Sequence, residues 1–328
     1  MKNNKLLFII ALLLVLIVGG IVLTRKNGTI KRELTDFAVK DTASIDKIYM
    51  ADRKGRSVLL EKKGGQWKVN GKYDVRKDGI NTLLYTIYAL RMKSPVAKAA
   101  HNNVIKRLAA GAIKTEIYQH TKLTKTYYVG DATQDQLGTF MILENSSVPF
   151  VMDIPGFYGY LTPRYFIEEE DWRDPVVMRY GPDQISSVKL VNNEHPEGSF
   201  IIQEKDKHFS LMDTTGKIYS CPETNLKAYL LGYKVVGIQN FLKNAEIDSA
   251  FKTRPFVRIE VKDHNEKVRT LEIFHLPNFA QAIDEKGRLY KYDQERVYLR
   301  INGAEGAVAQ YFVLGPLIRS RQELMQKE

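Results

Sequence analysis

Six histidines, one cysteine and a run of four acids are the side chains of this 328-residue sequence best suited to acid–base, nucleophilic or metal chemistry. The histidines stand at 101, 120, 195, 208, 264 and 275. None forms H-x-x-x-H or H-E-x-x-H, the spacing that turns two imidazoles toward one zinc ion. A metal would have to be assembled from scattered ligands. His275 falls in a strand-like segment and reads as a structural histidine. Cys221 would need a neighbouring histidine and a depressed pKa to act as a nucleophile. Standing before Pro222, it reads as a small residue ahead of a helix. Glu168, Glu169, Glu170 and Asp171 could supply the carboxylate pair of a glycan hydrolase if one of them lay in an apolar pocket. Four acids in a row read more simply as a solvated linker face. Neither G-x-x-x-x-G-K-[ST] nor G-x-S-x-G occurs, so neither the phosphate cradle nor the serine elbow is available. No cofactor, metal or catalytic residue is expected.

The strongest candidate is instead a surface for contact. Residues 156–166 hold Phe157, Tyr158, Tyr160, Tyr165 and Phe166 together with Arg164, and Trp172 follows closely. Aromatics and arginine dominate the energetic centres of protein interfaces. Two glycines and a proline suggest a shaped loop. The competing reading is that this loop seals its own module or packs two modules together. The corresponding stretch late in the chain, 303–314, lacks most of these aromatics, so the fold of the repeat alone does not require them.

Such a loop needs a scaffold, and the rest of the chain describes one. A length of 328 residues suggests two domains, and 44% hydrophobic with 27% charged residues excludes a disordered chain. One cysteine excludes an internal disulfide. Ile45–Met50, Val58–Glu61 and Trp67–Val69 alternate as a strand meander, and Ile185–Leu190, Phe200–Gln203 and Phe209–Leu211 repeat it. A helical stretch follows each meander, at 81–90 and 225–231. Ile113–Tyr118 and Val257–Lys262 then match at an offset of 144, as do the hairpin strands at 125–129 and 269–274. Internal duplication is the expectation.

The first residues carry a different signal. Leu6 to Leu23 is an uncharged apolar run, behind Lys2 and Lys5. Eighteen residues at about 1.5 Å each approach the roughly 30 Å of a bilayer core. An uncleaved anchor, with Leu6, Phe8, Leu14, Val18 and Leu23 in lipid, is favoured over a cleaved signal peptide. Arg25, Lys26, Lys31 and Arg32 after the span lean toward a cytoplasmic bulk, whereas the short basic head followed by an apolar run has the form of an export signal. The exported side is favoured: single-pass in the inner membrane, bulk in the periplasm. The net charge of +11 is spread through both signs without a nucleic-acid-binding signature, and no nucleic acid is expected as a partner.

Several stretches resemble the DUF4340 family of Bacteroidota-type envelope proteins. They are residues 29–39 and 41–45, Trp67–Asn70 with Lys72 and Tyr73, Asn103–Leu108, Tyr127–Gly130, Thr133–Gln136 and Phe157–Phe166. The resemblance is most specific over 29–182. It implies a membrane-anchored envelope protein of unknown function, with relatives among accessory components of ABC-type systems, and it carries over no catalytic residue. The expected fold is therefore α+β: an N-terminal transmembrane helix (1–28) followed by two duplicated modules of antiparallel sheet packed with helices (29–175 and 176–328). The expected function is a non-enzymatic scaffold or accessory subunit that touches a protein partner in the envelope and the bilayer through 6–23. The alternative is an envelope hydrolase acting on glycan or peptide with residues scattered across both modules.

Overall fold

The structure is a computed structural model and describes residues 12–19, 35–243, 246 and 249–326. Two compact units divide the chain, one ending at Trp172 and the other beginning at Arg173.

In the first unit the strands are β1 (Ile45–Ala51), β2 (Ser57–Lys63), β3 (Gln66–Val69) and β4 (Tyr73–Asp74). Helix α1 (Lys77–Ala89), strand β5 (Arg91–Pro95) and helix α2 (Lys98–Gly111) follow. The unit closes with β6 (Ile113–Gln119), β7 (Lys122–Ala132), β8 (Thr139–Leu143), β9 (Phe150–Asp153) and the short helix α3 (Glu169–Trp172). Nine strands form one antiparallel sheet in the order β4-β3-β2-β1-β6-β7-β8-β9-β5. One face carries the main core. Ile45, Ile48 and Met50 all face it although their spacing is not strictly two, because the ladder slips by one residue between Ile45 and Lys47. Helix α1 buries Ile80, Leu83 and Ile87 on that face, and α2 places Val104 and Leu108 in a smaller cluster with Tyr128 and Phe140.

The second unit has β10 (Val176–Met178), β11 (Ile185–Asn192), β12 (Phe200–Lys205), β13 (His208–Met212) and β14 (Ile218–Tyr219). Helix α4 (Glu223–Leu231) leads to β15 (Val236–Gly237), β16 (Asn240–Phe241), β17 (Val257–Asp263), β18 (Val268–Pro277), β19 (Tyr292–Ile301) and β20 (Glu305–Gln310). Two short helices end it, α5 (Tyr311–Leu314) and α6 (Arg321–Met325). Its large sheet runs β14-β13-β12-β11-β17-β18-β19-β20-β16, the same path as the first, and a small β10-β15 pair stands apart. The register slip recurs between Ile185 and Ser187, so Ile185, Val188 and Leu190 repeat the spacing of Ile45, Ile48 and Met50.

The expected fold class needs correction. The described residues are mostly antiparallel sheet, and among them no helix is long and apolar enough to cross a membrane. Residues 12–18, with Leu14 and Val18, are helical and exposed. Leu6, Phe8 and Leu23 lie outside the described residues, as do 29–34 of the DUF4340-like stretch. Sheet dominates because long hairpins, not helices, supply most of the backbone pairing in each unit.

One turn design recurs. Asp52, Asp213, Asp263 and Asp284 each receive the backbone N–H groups two and four residues ahead on one carboxylate oxygen. The fourth turn residue is left-handed: Gly55 (φ 83°), Gly216 (φ 91°), Glu266 (φ 62°) and Gly287 (φ 75°). Asp213 also accepts the Thr215 hydroxyl at 2.6 Å and the Tyr219 hydroxyl at 3.1 Å. The Thr215 hydroxyl, aided by the backbone donors, lowers its pKa to about 2. This carboxylate is therefore worth stability above the unfolded value of 3.8, and that stability is lost as pH falls from there through about 2. The Asp213→Asn variant should show a shallower loss of urea resistance in the second unit between those two values than the parent chain. Parallel acid limbs would refute the assignment.

Candidate functional site

The aromatic loop of the first unit is turned mostly inward. Tyr165 and Trp172 are fully buried. The Tyr165 and Tyr127 hydroxyls meet at 3.2 Å, and the Trp172 indole N–H donates to the Phe166 carbonyl at 2.9 Å. Phe166 packs on Trp172 with ring centroids 4.6 Å apart. Arg164 lies 4.1 Å over the Phe157 ring and donates to the Thr86 hydroxyl on α1 at 3.1 Å. Only Tyr158, 89% exposed, and Tyr160 face solvent. The loop is a plug that closes its own unit, with two tyrosines left outside. The acidic run is likewise engaged rather than free. Glu168 pairs with Arg56 at 2.6 Å and Glu169 accepts Asn70 at 2.7 Å, which latches α3 onto the β2 side of the sheet.

Among the described residues, groups able to do chemistry do not converge. Among the described residues no three His, Cys, Asp or Glu side chains are placed to hold a metal ion. The Cys221 thiol points at the Leu324 carbonyl, 3.1 Å away, and burial pushes its pKa up, opposite to what a nucleophile needs. A cleft of about 590 Å³ in the second unit is bordered by Tyr229, Arg319 and Glu323. The Glu323 carboxylate there caps α6, accepting the Ser320 N–H at 2.5 Å and its hydroxyl at 2.7 Å.

The structure brings forward a feature that the sequence reading passed over. Between β7 and β8 the first unit has the loop 133–138; at the same place, between β18 and β19, the second has 278–291. The longer segment forms an ordered arm. Ile283 and Leu289 are bridge partners, so their side chains share one face. The next pair, Asp284 and Arg288, is joined by an ion pair of 2.7 Å. Asn278 fastens the neck, donating to the Ala282 and Tyr290 carbonyls at 2.8 and 3.0 Å and accepting the Ala282 N–H at 2.9 Å. At the root His275 is stacked between Phe256 and Tyr292, with centroids 4.2 and 4.1 Å away, and its Nε2 meets Glu194 at 3.0 Å. On this braced arm Phe279, Ile283 and Leu289 are 72%, 58% and 66% exposed. The Asp284-x-x-Gly287-Arg288 turn was the sequence signal that could have revealed it, since the same pattern ends β1 at Asp52.

Comparison of the chain with protein-family models, with curated proteins and with solved structures finds no match.

Proposed function

We propose that this protein is a non-enzymatic accessory protein whose two sheet units present surfaces to another protein, in the envelope setting that the DUF4340 resemblance implies. The observation that carries this reading is the arm of the second unit. Three large apolar side chains stand in water on a segment stiffened by its own turn, neck and root, and the first unit, built on the same strand path, has no such extension. Exposed apolar groups on a rigid element cost little ordering entropy on docking, which is what a recognition element requires.

The test places a photo-crosslinking amino acid at Phe279 of the full chain in its native cells. A discrete protein adduct is expected. The double variant Ile283→Asp, Leu289→Asp should lose it, because burying each side chain contributes about 1.5–3 kcal/mol and the pair at least a hundredfold in affinity. The circular dichroism spectrum of the variant should match the parent's. No adduct, or one indifferent to the two substitutions, would refute the docking role.

A further inference from the structure

The face of the second sheet opposite its main core carries a cleft of about 400 Å³ over β11 and β17. Alternation places Lys189, Arg258, Glu260 and Glu272 on this face, while Val188, Leu190, Ile259 and Ile273 turn to the core. Glu272 is 8% exposed and is held by Arg300 at 2.6 Å and Arg258 at 3.6 Å. Arg258 is held in turn by Glu260 at 2.7 Å. Two guanidiniums and two carboxylates thus neutralise one another. Lys189 stands opposite Glu260 in the ladder without an ion pair, and Arg254 at the rim also has no carboxylate in ion-pairing distance among the described residues. The rim itself is built: the Asn193 side chain donates to the Pro255 carbonyl at 2.7 Å, and its N–H to the Phe256 carbonyl at 2.8 Å. The neighbouring acid, Glu194, is turned to His275.

We infer that this cleft binds the phosphate-monoester group of a small organic molecule. Two uncompensated cations match a dianion, whereas a single carboxylate would leave one of them unanswered. The cleft is larger than the head group, and Val191 and Pro255 offer the ester's body an apolar wall. The first unit supplies an internal control. There Lys114 and Glu116 repeat the Arg258–Glu260 pair at 2.8 Å, but Tyr49 stands opposite Glu116 where Lys189 stands opposite Glu260. The inference goes beyond the docking role and uses none of the arm's residues, so either can fail alone.

The experiment titrates the full chain with glycerol 1-phosphate at pH 8 and constant ionic strength by calorimetry, alongside inorganic phosphate, acetate and vesicles of phosphatidic acid in phosphatidylcholine. One saturable site is expected for glycerol 1-phosphate or for the phosphatidic acid vesicles, and which of the two binds tells a free ester from a lipid head group. Lys189→Ala and Arg254→Ala should each weaken it about tenfold, the worth of one charge-assisted hydrogen bond. Lys114→Ala in the first unit should change nothing. Both altered side chains are exposed, and an unmoved urea midpoint shows that the variants fold. Absence of saturation, equal affinity for acetate, or variants that bind as the parent does would overturn the inference.

Discussion

Replacing Trp172 by alanine is expected to destabilise the first unit by about 3–5 kcal/mol. The indole is fully buried and its N–H satisfies the Phe166 carbonyl at 2.9 Å, while the backbone carbonyl of Trp172 accepts the Arg76 N–H at 2.8 Å ahead of α1. Truncation therefore removes core volume, orphans a carbonyl and loosens the latch of residues 166–172. Both tryptophans of the chain, Trp67 and Trp172, belong to this unit, so the fluorescence of Trp67 follows its unfolding in the variant. The urea midpoint seen by Trp67 should fall by about 1–5 M, given slopes of about 1–3 kcal/mol/M. Far-UV circular dichroism should keep a second transition at its parental midpoint, that of the other unit. Trp172→Phe, which keeps a ring against Phe166, should lose less. A midpoint that moves by less than about 0.3 M would contradict the plug described for this loop.

A steep loss of stability in alkali is the second large effect. Tyr127 and Tyr165 form a buried phenol pair in the first unit, and Tyr229 and Tyr233, 2.7 Å apart, form one in the second. Burial raises the pKa of all four above the ordinary value of 10.0. Above that pH the unfolded chain releases these protons while the folded units retain them. The stability is fully present below 10 and is lost as pH rises toward the folded values. Each phenol removes about 1.4 kcal/mol per pH unit, so a pair removes about 2.7 kcal/mol per pH unit from its unit. Urea unfolding between pH 9 and 11.5 measures this. The double variant Tyr127→Phe, Tyr165→Phe should flatten the limb of the first unit and leave that of the second. Equal slopes in variant and parent would contradict the burial of the pair. Within the second pair the roles differ, because the Tyr229 hydroxyl donates to the Leu317 carbonyl at 2.9 Å and receives the Tyr233 proton.

The strands were legible because alternation is local. Ile45–Met50 and Ile185–Leu190 lie within β1 and β11, and Ile113–Tyr118 and Val257–Lys262 within β6 and β17. The face of α1 was legible for the same reason, with Ile80, Leu83 and Ile87 buried at helical spacing. The aromatic loop was harder to read. Its composition suits an interface and a core equally, and its side chains divide between the two, Tyr165 going inside and Tyr158 outside. The acids at 168 and 169 looked solvated because Arg56 and Asn70, which hold them, are about a hundred residues away. The apolar leader read as a membrane span from hydropathy alone; among the described residues no helix is long and apolar enough to cross a membrane.

By itself the sequence marked the longer alternating strands, such as Ile45–Met50 and Val257–Lys262, and the apolar face of α1, since these depend on residues a few positions apart. The same Asp-led turn recurs at Asp52, Asp213, Asp263 and Asp284. Tertiary structure alone decided which aromatics became core, that Glu272 is pinned between two arginines, and that 278–291 stands out as a braced arm. Those outcomes depend on neighbours brought together from β17, β18 and β19, or from β2 and α3, and no local pattern encodes the environment that distant strands create.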